Sequence, residues 1–158
     1  MPEYQEFEHI EPRERTIGHL DLENGLSVYF IDRSTPPVVG RCRVELLIRV
    51  PVEPAEDHFN KYPTPSEALR RFVSLAGPGP VEFQAVKIRN FIVPAEVDKL
   101  LEKMKDDFIR LGLPYLKNPK FVSNFITRKY EDLLADAAVH SAHEAALRTE
   151  DERLAADD

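Results

Sequence analysis

Five apolar residues at every second position, Cys42, Val44, Leu46, Ile48 and Val50, narrow the folds open to this chain. That period puts all five on one side of an extended strand, whereas a helix would scatter them around its circumference. The alternate residues, Arg41, Arg43, Glu45, Leu47 and Arg49, then share the opposite side. A strand with one apolar face needs neighbours beside it and a layer over that face.

Upstream, HLDLENGLSVYF supplies the neighbours as a hairpin whose register can be decided. A two-residue turn at Asn24-Gly25 would pair Leu22 with Ser27 and mix polar and apolar residues on both faces. A three-residue loop, Glu23-Asn24-Gly25 with Gly25 left-handed, pairs Leu22 with Leu26 and Leu20 with Val28. Only the second gathers Leu20, Leu22, Leu26, Val28 and Phe30 on one face. On the other side it sets His19 opposite Tyr29 and Asp21 opposite Ser27.

Downstream, residues 51–65 are Pro-rich and acidic, which reads as an irregular excursion. Thr64-Pro65-Ser66-Glu67 has a capping hydroxyl and a proline at the first helical position, predicting a short helix that Gly77 stops. Residues 81–93 read as a long strand whose inward and outward positions exchange near Arg89. Pro94 opens a second helix with Val97, Leu100, Leu101, Met104, Phe108 and Leu111 in one stripe, ended by Gly112 and Pro114. A third helix starts at Asn118-Pro119 and is expected to fray after about His140, where large apolar residues run out. Three consecutive strands without helical crossovers predict an α+β fold: an antiparallel sheet of about four strands with two or three helices packed on one face. Residues 1–15 read as a polar, flexible N-terminal segment, 16–138 as a single α+β domain, and 139–158 as an acidic Ala-rich tail, frayed or disordered.

The formal charge of −7 over 158 residues is concentrated at the ends: residues 1–15 carry −3 and 136–158 carry −5, leaving +1 for the body. An acidic chain can therefore still present a basic patch, because screening limits each charge to about 10 Å. No apolar run reaches the ~20 residues of a membrane span. The first fifteen residues lack the basic and apolar regions of a signal peptide. Cys42, the lone cysteine, falls on the apolar face and reads as a buried thiol, so a cytoplasmic location is expected.

The strongest binding candidate is the sheet face opposite the core, with Arg41, Arg43, Arg49, Lys87 and Arg89 as anion-binding residues and Tyr29 as a stacking platform. Glu45 interrupts that row, and no RNA-recognition consensus accompanies it. Asp132, Asp136, His140 and Glu144 recur every fourth residue, with His143 nearby, yet HSAHE is not the HExxH zinc motif, and a solvated helix face is expected. The loop with Glu53, Glu56, Asp57 and His58 lacks EF-hand spacing. GPGP at 77–80 withholds the consecutive N–H donors of a phosphate loop and reads as a chain breaker. Arg13 and Arg15, followed by Asp32-Arg33-Ser34 and Gly40, loosely resemble the PilZ cyclic-dinucleotide pattern of an arginine pair before Asp-x-Ser-x-x-Gly. The arginine spacing, the distant glycine and the intervening Pro36-Pro37 depart from it, and the family is not assigned. No nucleophile stands out: Cys42 alternates with core residues, and the serines lack a Gly-x-Ser-x-Gly turn. His19, Asp21 and Tyr29 form an acid–base set only as same-face neighbours on a hairpin.

The sequence therefore predicts no catalytic residues, no metal site and no cofactor. The expected function is a non-catalytic protein-interaction or oligomerisation module, with an unknown protein partner or a second copy of the chain and no membrane. One alternative is anion or nucleic-acid binding through the arginine-bearing face. The other is an enzyme whose active site is assembled from distant residues.

Overall fold

The computed structural model describes residues 14–156. Its first elements are the expected hairpin, β1 (Arg15–Asp21) and β2 (Ser27–Asp32). Leu20 lies opposite Val28, His19 opposite Tyr29 and Asp21 opposite Ser27, so the three-residue loop holds. The Leu22 amide donates to the Leu26 carbonyl at 2.7 Å, and Gly25 has φ +87°. A side chain at Gly25 would meet no neighbour, so the glycine is required for its backbone conformation. The ladder slips by one residue between Thr16 and Gly18, a bulge at Ile17.

β3 (Cys42–Val52) pairs antiparallel with β2, and β4 (Val81–Ile92) completes a four-stranded antiparallel sheet in the order β1-β2-β3-β4. The fold class is α+β. Val44, Leu46, Ile48 and Val50 are fully buried, and Cys42 with them is nearly so. Four α-helices are described: α1 (Pro65–Ala76), α2 (Val97–Leu111), α3 (Leu113–Lys117) and α4 (Phe121–Ala156). The count exceeds the expected two or three because Pro114 does more than end α2. It sits in the first turn of α3, where its missing N–H costs nothing. Thr64 precedes α1 as expected, but its hydroxyl makes no cap; its carbonyl accepts from the Ala68 amide instead.

Contacts divide the chain into two units. The first holds residues up to Val52 together with Glu82–Phe121. Within it α2 packs on β3, the Phe108 ring meets Phe30 edge-on at 5.9 Å, and Asn24 donates to the Leu116 carbonyl at 3.0 Å. Phe83 of β4 packs against Tyr115 and Phe121. The second unit holds Glu53–Val81 and the residues from Val122 onward. Its centre is aromatic: Phe59, from a single 3₁₀ turn at Glu56–Phe59, meets Phe72 and Tyr130, and Tyr62 packs edge-on against Tyr130 at 5.3 Å. Lys61 closes that cluster with an ion pair to Glu131 at 2.7 Å. The Pro-rich stretch is thus the entry to a separate small core.

α4 continues through Ala156, past the fraying expected after about His140. Every residue from Ala138 to Ala156 is exposed. Burial does not hold this half, so helix propensity must: alanine, glutamate, leucine and arginine dominate it, without glycine or proline. No described helix is long and apolar enough to cross a membrane.

Candidate functional site

The residues of the arginine row have different neighbours. β3 begins at Cys42, so Arg41 is not on the strand face. It belongs to a turn closed by Val38, and its guanidinium donates to the Gly40 carbonyl. Arg43 lies 3.4 Å from Glu45, whose second oxygen stands 3.5 Å from Arg33. Glu45 was expected to face water, yet it is only 8% exposed. The two guanidinium groups explain how a carboxylate is tolerated there, and the Ser34 hydroxyl accepts from the Glu45 main-chain amide. Beside it Ile31 and Leu47, directly opposite each other on β2 and β3, are also buried. This face is therefore not uniformly open, because a second apolar patch interrupts it.

Arg49 is the most firmly held of the row. Its Nε donates to both Glu82 carboxylate oxygens, at 3.1 and 3.0 Å, and its Nη2 also reaches Glu82. The hydrogen bonds from Arg49 hold the Glu82 carboxyl below its ordinary range, and the same contacts raise Arg49. Tyr29, the partner of Arg49 across the ladder, stacks flat on His19 with ring centroids 4.6 Å apart. Tyr29, Arg49 and Glu82, with Thr16, Ile31 and Pro51, line a hollow of about 300 Å³ in which the cation is already neutralised.

Lys87 and Arg89 stand apart from that hollow. Alternation along β4 puts them on the side of Phe83 and Ala85, the side that faces helices, and leaves Val86 and Ile88 on the other. They line a cleft of about 370 Å³ between β4 and α2, floored by Met104, Phe108 and Leu111. Among the described residues neither forms an ion pair, and the one carboxylate in the cleft, Asp107, is held by Arg110 at 3.1 Å. Gly112 shapes the cleft: a Cβ there would stand 2.6 Å from the Phe108 ring. The structure thus brings Tyr29 and Arg49 together, brings Lys87 and Arg89 together elsewhere, and leaves Arg41 with neither group. Sequence reading missed the cleft residues because Met104, Phe108 and Leu111 were assigned to a core stripe. Leu111 is 70% exposed, and its place at the end of that stripe, next to a helix-stopping glycine, was the available signal.

The remaining candidates serve local structure. Asp21 accepts from the Ser27 hydroxyl at 2.7 Å and meets His19 Nε2 at 2.9 Å. The Ser27 bond, and then His19, lower its pKa. Of the set His19, Asp21 and Tyr29, His19 thus meets Asp21 through Nε2, while Tyr29 stacks on the face of the imidazole. His58 accepts the Ala55 amide at Nδ1, and burial pushes its pKa down. That leaves it a turn residue. His140 pairs with Glu144 at 3.0 Å, and no group of three His, Cys, Asp or Glu among the described residues is placed to hold a metal. Arg13 lies outside the described residues. Arg15 pairs with Asp32 at 3.1 Å, and Asp32 also accepts from the Ser34 amide, so Asp32 already has two internal partners. Gly77 and Gly79, both at positive φ, break the chain between α1 and β4.

Comparison with protein-family models, curated proteins and solved structures finds no match for this chain.

Proposed function

We propose that this protein is a non-catalytic interaction module whose working surface is the free margin of β4 with the adjoining cleft. The observation that supports the reading is a twelve-residue strand at the end of the sheet, exposed from Val86 to Phe91. Main-chain groups along such a margin offer hydrogen bonds to another chain, and natural sheets guard against stray pairing. Here the margin carries Val86, Ile88 and Phe91, which are 47%, 36% and 82% exposed. Exposed apolar side chains clustered on one strand favour an interaction surface. Phe91 also holds a left-handed conformation, φ +63°, which costs a residue with a side chain about 1 kcal/mol. The buried thiol at Cys42 suits a reducing compartment, and a cytoplasmic site of action is part of the proposal.

The test uses the whole chain and a Val86→Lys, Ile88→Lys variant, both as baits and in sedimentation velocity. A stoichiometric partner or dimer kept by the wild type and released by the variant supports the reading. If both chains hold the same set, or both remain monomers that hold nothing, the reading is overturned. Anion binding survives as a second reading in a narrower form, carried by Lys87 and Arg89 alone. It predicts that heparin retention of the wild type falls steeply with salt.

A further inference from the structure

Resting on the β4 reading above, we infer that the partner is an extended acidic segment that joins the sheet as a fifth strand beside β4, with acidic and apolar residues alternating. The two sides of β4 differ at its margin. On the helix side lie Lys87 and Arg89, without ion-pair partners among the described residues, above the apolar floor of the cleft. On the opposite side lie the exposed Val86 and Ile88. A strand added at this margin projects successive side chains to alternate sides, so each of its residues meets one environment or the other. Acidic residues on the helix side would face Lys87 and Arg89, with the stems of longer side chains over Met104 and Phe108. Apolar residues on the other side would cover Val86 and Ile88. Cross-strand pairs of opposite charge and of β-branched residues are the favourable ones.

The same charges argue against self-pairing. An antiparallel contact between two copies centred on Ile88 sets Lys87 of each opposite Arg89 of the other, and like charges directly opposite are destabilising. A partner rich in carboxylates has no such conflict. Lysine and arginine on a margin also discourage stray strand pairing, and in that role they would hold no acidic strand at all.

The probe is an end-blocked, dye-labelled hexapeptide of alternating glutamate and valine. Its control has the same composition arranged as three glutamates followed by three valines. Binding is read by fluorescence anisotropy, and its location by protection of β4 amides in hydrogen exchange. The alternating peptide is expected to bind at least about tenfold more tightly than the block control and to protect β4. Lys87→Glu with Arg89→Glu should abolish that binding and create affinity for the alternating lysine–valine peptide. The neutral pair Lys87→Gln and Arg89→Gln gives the same loss with a milder perturbation, and the amide NMR spectrum verifies that each variant is folded. Equal binding of the block peptide, binding without β4 protection, or no binding overturns the inference. The two proposals fail separately. If the peptide does not bind while Val86→Lys, Ile88→Lys still releases a partner, only the acidic strand is wrong.

Discussion

β3 and β4 lie side by side in one sheet and carry similar charges, yet their cations have opposite fates. On β3, Arg43 and Arg49 are each matched to a carboxylate, Glu45 and Glu82, and the strand's apolar side is wholly buried. On β4, Lys87 and Arg89 have no such match among the described residues, and apolar side chains emerge beside them. On β3 the arginines keep part of their surface in water, while the carboxylates they hold are the more buried partners of each pair. On β4 neither cation meets a carboxylate among the described residues, and Arg89 donates only to its neighbour's carbonyl, that of Ile88, at 2.8 Å. Cation count is therefore a poor guide to a binding face; the carboxylates that sit beside the cations decide.

The widest gap between the strands should appear in stability. Ile48→Ala removes a fully buried side chain from β3 and should cost about 2–5 kcal/mol, whereas Ile88→Ala on β4 should cost about 1 kcal/mol or less. Urea unfolding of both variants measures the ratio, and equal losses would erase the distinction. Gly112→Ala comes next. The new methyl must displace the Phe108 ring, at about 1–3 kcal/mol, and should perturb the amide resonances of the cleft.

The third test concerns pH. Arg49 holds Glu82 below the ordinary carboxylate range, so the unfolded chain takes up this proton first as pH falls. The pair's contribution is complete above that range and fades as pH drops through it toward the lowered folded value. Glu82→Gln should cost about 1 kcal/mol at neutral pH and flatten this part of the acid limb. A wild-type and variant pair with parallel acid limbs would contradict the assignment. The smallest effect belongs to β4: Lys87→Gln with Arg89→Gln should leave stability within about 0.5 kcal/mol, as expected for exposed cations that form no ion pair among the described residues. A larger loss would mean that these residues support the fold.

Much of this contrast was hidden in the sequence for a definable reason. The hairpin register was legible because Leu20, Leu22, Leu26 and Val28 can share a face in only one pairing. The burial of Val44, Leu46 and Ile48 followed from the same period. The neutralisation of Arg49 was not legible, since Glu82 is thirty-three positions away and only the sheet order brings it near. Arg33, which helps to hold Glu45, lies in the loop after β2, outside any strand pattern. For β4 the sequence suggested an exchange of sides near Arg89, whereas Lys87 and Arg89 line the same cleft, and periodicity alone does not say which side faces the helices. The Phe83 contacts with Tyr115 and Phe121 settle it. α4 outran its expected end because docking was used as the criterion where composition decides.

That helix has a consequence for how the protein must be measured. At 36 residues it extends about 54 Å, and its distal half touches no core. Much of the chain's ellipticity therefore comes from turns that can melt one at a time. With no tryptophan present, ultraviolet emission comes from five tyrosines, two of which, Tyr62 and Tyr130, sit in the aromatic cluster of the second unit. Heating should lower the ellipticity gradually before the tyrosine signal breaks, and the two curves will not superimpose. A single midpoint taken from either would describe only one part of the molecule.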